Sequence, residues 1–211
     1  MFRQQIAELS NDLWILGWAD MMIANAKGSG GGIEEAWNWM RARMPVIPFI
    51  SEFSSLLLLA NDNPEAARAI IVETSPGWME PEEWELLIDS NPTSACMFAW
   101  TLVQTGDAEM GQALLKQSLA YIEEMPAFVE HPDSWNIEAC YLLAGNNEKA
   151  LEIIESQLAH NHLFWWKTIH QLSMFEAVRH EPRYQAVHTE VEARLAQQRE
   201  AVAQMNLETG P

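Results

Sequence analysis

The chain has 211 residues, and 48% of them are hydrophobic, which is enough to bury one sizeable core or a short helical solenoid. Lys and Arg number 12 against 30 Asp and Glu, so the formal net charge is -18 and the chain repels the phosphates of nucleic acids. We therefore expect no direct nucleic acid binding. A charged partner that this surface attracts should be basic.

The chain contains no segment that is typical of membrane insertion. The opening residues have neither a basic segment nor an uninterrupted apolar segment before a small-residue cleavage site. The most apolar stretch, residues 13–26, is interrupted by Asp20 and is too short to span a bilayer. We therefore expect no membrane insertion by this chain. The expected location is cytoplasmic, or periplasmic if the chain is a fragment of a membrane-anchored regulator.

Helix signals recur along the chain, and strand alternation is absent. Ser10 or Asn11 can cap a first helix that runs to about Lys27, and the apolar spacing predicts a second helix over residues 33–44. Further helix starts are marked by a polar residue before a proline, at Pro64, Pro81, Pro92 and Pro182. The pattern predicts an all-α protein with about ten or eleven helices.

The low-complexity segment Gly28–Gly32, with the sequence GSGGG, predicts a flexible loop between the first two helices, whether or not it is native. We predict a single domain, residues 1–211, because a lone first helix could not bury its own apolar face. It comprises an N-terminal helical pair over 1–48, degenerate repeats over 49–160 and capping helices over 161–205.

A short pattern of residue sizes recurs in the middle of the chain. Tyr141, Gly145, Ala150 and Ile154 match Leu102, Gly106, Gly111 and Leu115, and a weaker copy comprises Leu57, Asn61, Ala66 and Ile70. The large residue ends a first helix, and Gly or Asn takes the left-handed conformation at the turn. The small residue then lets a second helix approach closely. Three copies predict repeated antiparallel helical hairpins.

This order of a large residue, glycine and alanine resembles the second half of the tetratricopeptide repeat (TPR). The copies lie further apart than the family's regular spacing of about 34 residues, so the repeats are degenerate. The closing run 162–200, with the core MFEAVRHEPRYQAV, looks like the end of TPR regions in bacterial winged-helix transcriptional regulators and nucleotide cyclases. The resemblance implies a right-handed superhelix of antiparallel hairpins, a TPR-like solenoid, with a C-terminal capping helix.

The resemblance also implies a function. Such a region is a non-enzymatic protein-protein interaction or regulatory module, part of a bacterial signalling or transcription regulator, and it holds a partner in the groove lined by its first helices. The repeat register places Trp100, Gln104 and Trp135 on that groove, with Ser51 and Ser55 further along. We predict that a protein or peptide partner docks there, because tryptophan buries a large area at a low entropy cost.

Two alternatives from other classes stay open. Ten tryptophans and 11 methionines can enclose an apolar pocket between helices, which would make the chain a small-molecule sensor. An enzyme would need polar groups that converge in a cleft, and the sequence has no GxSxG elbow, HExxH pair, P-loop or Rossmann glycine pattern. We therefore predict neither enzymatic activity nor a cofactor.

Histidines and cysteines indicate no metal site. His160 and His162 lie two residues apart, whereas a helical pair of metal ligands needs a spacing of three or four. Cys96 and Cys140 lie inside helical patterns without CxxC spacing. We interpret both cysteines as buried free thiols, with a disulfide as the less favoured alternative.

Overall fold

The computed structural model describes residues 13–43, 48–125, 137–162 and 166–209. Its helices are α1 (Leu13–Ala26), α2 (Gly30–Arg41), α3 (Pro48–Ala60), α4 (Pro64–Thr74), α5 (Trp84–Ser90), α6 (Pro92–Gln104), α7 (Ala108–Glu124), α8 (Glu138–Leu143), α9 (Asn147–Ala159), α10 (Trp166–Ile169) and α11 (Pro182–Thr209). Short 3₁₀ turns cover Pro76–Met79, Pro81–Glu83 and Ser173–Ala177. These ranges contain no β-strand, so the predicted all-α class is confirmed for the described residues.

Consecutive helices pack against each other as hairpins. The pairs are α1 with α2, α3 with α4, α6 with α7, and α8 with α9, and each pair is joined by a turn of a few residues that reverses the chain. Each hairpin also contacts the next, through α2 with α3, α4 with α6, and α6 with α8. The long α11 packs on α9 and follows the last hairpin. None of these described helices is both long enough and apolar enough to cross a membrane.

The hairpin turns share one hydrogen-bond pattern. An amide N–H donates to a carbonyl five residues back in four pairs: Ser29 to Ala24 (2.9 Å), Asn63 to Leu58 (2.9 Å), Asp107 to Leu102 (2.8 Å) and Asn146 to Tyr141 (2.8 Å). The residue before each donor has a positive φ: Gly28 (64°), Asp62 (55°), Gly106 (95°) and Gly145 (75°). This is the Schellman arrangement, which satisfies carbonyls at the end of a helix. The predicted left-handed conformation of Gly106 and Gly145 is confirmed.

The predicted positions in the weaker copy of the repeat are wrong by one residue. The left-handed residue is Asp62 and not Asn61, because the Asn61 Nδ2 donates to the Leu57 carbonyl and to Asn25 Oδ1, each at 2.8 Å. These bonds hold Asn61 at the end of α3. The close-packed small residue is correspondingly Ala67, which has no exposed surface.

The glycine-rich segment is part of an ordered helix start, so the predicted flexible loop over Gly28–Gly32 is wrong. Gly28 ends α1 in the left-handed conformation, and Ser29 caps α2 by accepting the Gly32 N–H on its Oγ at 3.1 Å. Gly30, Gly31 and Gly32 form the first turn of α2. A serine cap supplies the acceptor that the first amides of a helix need, and it outweighs the flexibility of the glycines.

The predicted proline starts are confirmed for α4, α6 and α11. The Asn63 side chain accepts from the Ala66 N–H at 3.3 Å, and the Asn91 side chain accepts from the Ser94 N–H at 3.1 Å. Pro81 instead begins a short 3₁₀ turn, and α5 starts only at Trp84. The predicted caps at Ser10 and Asn11 lie outside the described residues.

Arginine side chains join successive hairpins. The Arg68 Nη1 on α4 donates to Thr105 Oγ1 at 3.0 Å, and its guanidinium pairs with Asp107 in the next turn. On α11, Arg183 donates to both carboxylate oxygens of Glu155 at 2.8 and 2.7 Å, which holds the pKa of that carboxyl below its usual value. The first contact joins two successive hairpins, and the second joins α11 to the last hairpin.

A disulfide links the first helices of two hairpins, so the predicted free thiols are corrected. Cys96 on α6 and Cys140 on α8 are bonded, with their Cα atoms 5.5 Å apart, and neither has exposed surface. Packing of α6 against α8 brings the two positions together, which a spacing of 44 residues in the sequence does not reveal. A cross-link of this span stabilises mainly by restricting the unfolded chain.

Reduction should therefore weaken the fold. We expect the free energy of unfolding in urea to fall by about 2–4 kcal/mol when the protein is reduced. A double variant, Cys96→Ala with Cys140→Ala, should show no further response to reductant. Two titratable thiols in the unreduced, denatured protein, with a stability that reductant does not change, would contradict the disulfide.

Helices α6 and α7 approach so closely that a side chain at Gly111 does not fit. A Cβ built there would lie 2.5 Å from the Ala99 carbonyl oxygen and 2.8 Å from Val103 Cγ2. Both contacts lie on α6, the helix that precedes the turn at Gly106, so the small position of the repeat has the predicted role. The backbones of one hairpin therefore touch at this point.

Gly111→Ala should destabilise the protein although alanine favours helix. The steric conflict should lower the free energy of unfolding by about 1–3 kcal/mol. Gly31→Ala is the matched control, because nothing lies within 4 Å of its added Cβ, and it should stabilise by about 0.5–1 kcal/mol. Equal effects of the two variants in urea unfolding would exclude the close approach.

Candidate functional site

The residues predicted to form a partner groove occupy different environments. Trp100 packs in the main core with 7% of its surface exposed, whereas Gln104 is exposed at the end of α6. Ser51 and Ser55 are buried on α3. Trp135 lies outside the described residues. Of these positions, Ser51 and Ser55 contribute to a common cleft, which Trp100 and Gln104 do not line.

This cleft lies between α3, α4 and α6 and has a volume of about 290 Å³. Its apolar walls comprise Phe53, Leu56, Leu59, Ile71, Trp78, Met97, Phe98, Ala139 and Ile169. Polar positions are Ser51, Glu52, Ser55, Thr74, Ser75, Asn91, Thr93 and Ser94. The volume is close to the lower end of the range for small-molecule sites, about 300–1,000 Å³, and apolar walls with a few polar groups are typical of them.

The segment between α4 and α6 shapes the opening. Residues 75–91, between the hairpin of α3 and α4 and the hairpin of α6 and α7, contain two 3₁₀ turns and the short α5. Trp78 of the first turn forms one wall, and the Trp84 Nε1 donates to its carbonyl at 2.9 Å. The same two side chains pack with Phe98 in a separate apolar cluster. This packing fixes the position of the Trp78 wall beside α6.

Most hydroxyl groups of the cleft are bonded to the protein itself. The Ser55 Oγ donates to the Ser51 carbonyl at 2.8 Å, and the Thr74 Oγ1 donates to the Ile70 carbonyl at 2.8 Å. Thr93 Oγ1 donates to the side-chain oxygen of Asn91 at 3.0 Å. These donors are therefore already engaged, and the cleft presents a largely apolar interior to a ligand.

Glu52 brings a carboxyl group to the lining of the cleft. Its Oε2 accepts from the Asn91 Nδ2 at 3.1 Å, at the start of α6. Burial raises the pKa of the Glu52 carboxyl, and a side-chain hydrogen bond with Ser94 opposes that rise. Among the described residues that line the cleft, Glu52 alone is ionisable. The cleft therefore combines apolar walls with one partly desolvated carboxyl group.

A second cluster of polar groups surrounds His170 near the C-terminal end. Its ring stacks on Trp166 with centroids 3.5 Å apart, and its Nδ1 lies 3.0 Å from the Tyr184 hydroxyl. Burial lowers the pKa of His170 to about 3, and the charges of His188 and Arg179 act in the same direction. His170 is thus neutral near pH 7, in a role that fits packing rather than acid-base chemistry.

Glu138 is a buried carboxyl outside the cleft. It has 1% of its surface exposed, and the Gln157 Nε2 donates to its Oε2 at 2.7 Å. Burial raises the pKa of Glu138 from 4.5 to about 7, although its hydrogen bonds oppose this. Within the described residues, no three His, Cys, Asp or Glu side chains are grouped so that they could hold a metal ion.

No protein-family model matches this chain, and neither a curated protein nor a solved structure shows significant similarity to it. The assignment of function therefore depends on the cleft and on the repeat pattern. The sequence analysis did not single out Glu52, Trp78 or Met97. A signal for Glu52 was present, because it is the one charged residue in the otherwise apolar and small α3 segment PFISEFSSLLLLA.

Replacing Glu138 should change how stability depends on pH. A carboxyl with a raised pKa in the folded state loses stabilisation as pH rises from about 4.5 to 7. Glu138→Gln keeps an acceptor for Gln157 and removes the titration. The variant should therefore gain about 3 kcal/mol relative to the parent protein between pH 4.5 and 8.

Urea unfolding across this pH range measures that difference. His170 contributes the opposite slope, because its lowered pKa costs stability as pH falls below 6.5. It is present in both proteins and cancels in the comparison. Parallel stability curves for Glu138→Gln and the parent would show that Glu138 does not titrate in the core.

Proposed function

We propose that this chain is a non-enzymatic sensory module, a degenerate TPR-like solenoid with a C-terminal capping helix, that binds a small ligand between two hairpins. The observation that carries the proposal is the cleft of about 290 Å³ with apolar walls between α3, α4 and α6. Ser51 and Ser55, which the repeat register assigns to the binding face, belong to its lining. Ligands that bridge two hairpins can change how the hairpins pack, and this is a route from binding to regulation.

The TPR-like assignment is supported by the hairpins and by the turn chemistry. Left-handed Gly106 and Gly145 end the first helix of their hairpins, and the small residues Gly111 and Ala150 lie buried in the second. The helix α11 follows the last hairpin, as a capping helix does, with charged residues on its outer face. A module of this kind would serve a larger bacterial signalling or transcription regulator, in the cytoplasm or the periplasm.

Docking of a basic protein or peptide is a second candidate function. Leu86 on α5 is 74% exposed, and Glu82, Glu85 and Asp89 lie around it. An exposed apolar side chain among carboxylates suits a basic partner that inserts one apolar residue. The overall charge of -18 would attract such a partner at long range.

Blocking the cleft should separate the two candidates. Leu56→Trp places an indole at the lining and should weaken binding of a cleft ligand at least about tenfold, because even small losses of pocket volume exclude ligand atoms. Leu86→Trp, outside the cleft, is the matched control and should leave that affinity unchanged. Thermal shift with a panel of small compounds, followed by calorimetry on the hits, measures the effect.

The outcomes distinguish the functions. Hits that lose affinity in Leu56→Trp and keep it in Leu86→Trp support the ligand site. If no compound stabilises the protein, while a basic amphipathic peptide binds and loses affinity in Leu86→Ser, the second candidate is correct and the first is wrong.

A further inference from the structure

We infer that the ligand of this cleft is an arylalkylammonium, a primary amine on a short aromatic body, whose ammonium group pairs with the Glu52 carboxylate. The inference depends on the proposed ligand site and names its chemical class. It follows from the position of one carboxyl group, from the composition of the walls and from the charge of the chain.

The carboxyl group is placed to receive a cation. Asn91 Nδ2 and the Ser94 side chain occupy part of the acceptor capacity of the carboxylate, which offers about four lone-pair positions in total. An ammonium has three donors, so it can bond Glu52 without displacing Asn91. Such charge-assisted hydrogen bonds are roughly twice as strong as neutral ones.

Among the described residues that line the cleft, none carries a positive charge that would compete with a ligand. The described lining contains no Lys, Arg or His side chain. Burial makes the ionised form of Glu52 costly, as its raised pKa indicates. A ligand cation offsets that cost, whereas a neutral ligand increases it by removing water from the carboxylate. An anionic ligand is repelled both by Glu52 and by the net charge of -18.

The side chains of the cleft walls indicate the kind of ring system and alkyl arm that the ligand should have. Phe53, Trp78 and Phe98 offer aromatic surface, and Met97 provides a thioether that adapts to ring edges. A volume of about 290 Å³ admits one ring system with a short alkyl arm. Aromatic surface near a carboxylate suits an ammonium as well as a ring, because the face of an aromatic ring attracts cations.

Glu52 could instead serve only to fasten α3 to the start of α6 through Asn91. Glu52→Gln tests this alternative directly, because its side-chain amide oxygen still accepts the Asn91 Nδ2 hydrogen bond, and its amide N–H can donate to the Ser94 hydroxyl that bonds the carboxylate in the parent protein. The negative charge is removed while both neighbours keep a hydrogen-bond partner. Glu35→Gln on α2 is the matched control, since it removes the same formal charge from an exposed position outside the cleft and outside the surface around Leu86. Any long-range effect of the acidic surface should affect both variants alike.

The experiment is calorimetric titration of the full chain with three probes that share an indole ring. Tryptamine carries an amine, 3-ethylindole has the same ring and arm without it, and indole-3-propionate carries a carboxylate. We expect tryptamine to bind the parent protein about tenfold or more tightly than 3-ethylindole, and indole-3-propionate to bind most weakly. Glu52→Gln should reduce the preference for tryptamine to within about threefold, and Glu35→Gln should retain it.

Each result decides a separate point. If the parent protein binds tryptamine and 3-ethylindole equally, or if Glu52→Gln keeps the tenfold preference, the cation site is wrong. The ligand site itself then stands if Leu56→Trp abolishes binding of 3-ethylindole. If neither probe binds the parent protein, the arylalkylammonium class is wrong, and the ligand site is decided separately by the compound panel with Leu56→Trp. The comparison of probes on the parent protein needs no variant, so a poorly folded Glu52→Gln does not remove the test.

Discussion

Reversal of the chain at the end of each first helix is the constraint on which the rest of the structure depends. A left-handed residue at Gly28, Asp62, Gly106 or Gly145 stops the helix, and the following amide closes the Schellman hydrogen bond. The next helix then starts within a few residues and packs back on the first. Without that conformation the apolar faces of the two helices would not meet.

Packing of one hairpin on the next is maintained by few but specific contacts. The buried disulfide joins α6 and α8, Arg68 joins two successive hairpins through Asp107, and Arg183 joins α11 to the last hairpin through Glu155. No buried side-chain nitrogen or oxygen in the described residues lacks a hydrogen-bond partner. The segment 75–91 lies between α4 and α6 in the chain, and its Trp78 forms part of the cleft wall. The candidate site therefore depends on the extra elements that this segment adds between two hairpins.

The acidic character of the chain has two different consequences. On the surface, carboxylates such as those around Leu86 remain hydrated and determine the charge that a partner meets. Inside, Glu52 and Glu138 are partly or fully desolvated, and burial raises the pKa of each. Glu138 is bonded within the core to Gln157, whereas Glu52 faces a cleft that admits a ligand. Only the second carboxyl group lies on the surface to which we propose that a ligand binds.

Individual residues show which features of the fold can be predicted from short sequence patterns and which cannot. Gly106, Gly145 and the prolines at 64, 92 and 182 were assigned correctly, since a turn or a helix start needs only the residues beside it. Asn61 was misassigned by one residue because its side chain bonds to Asn25 of another hairpin. The segment 28–32 was predicted to be a flexible loop because the prediction gave more weight to its glycine content than to the helix cap that Ser29 forms.

The sequence by itself therefore determined the helical class, the hairpins and most of their turns, because these depend on interactions within a few residues. Tertiary structure alone decided the disulfide between Cys96 and Cys140, the burial of Trp100 and the joining of Glu52 with Trp78 in one cleft. The physical reason is that these features arise where separate hairpins pack against each other. That packing depends on the complementary shapes of entire helix surfaces, which cannot be predicted from the spacing of residues along the chain.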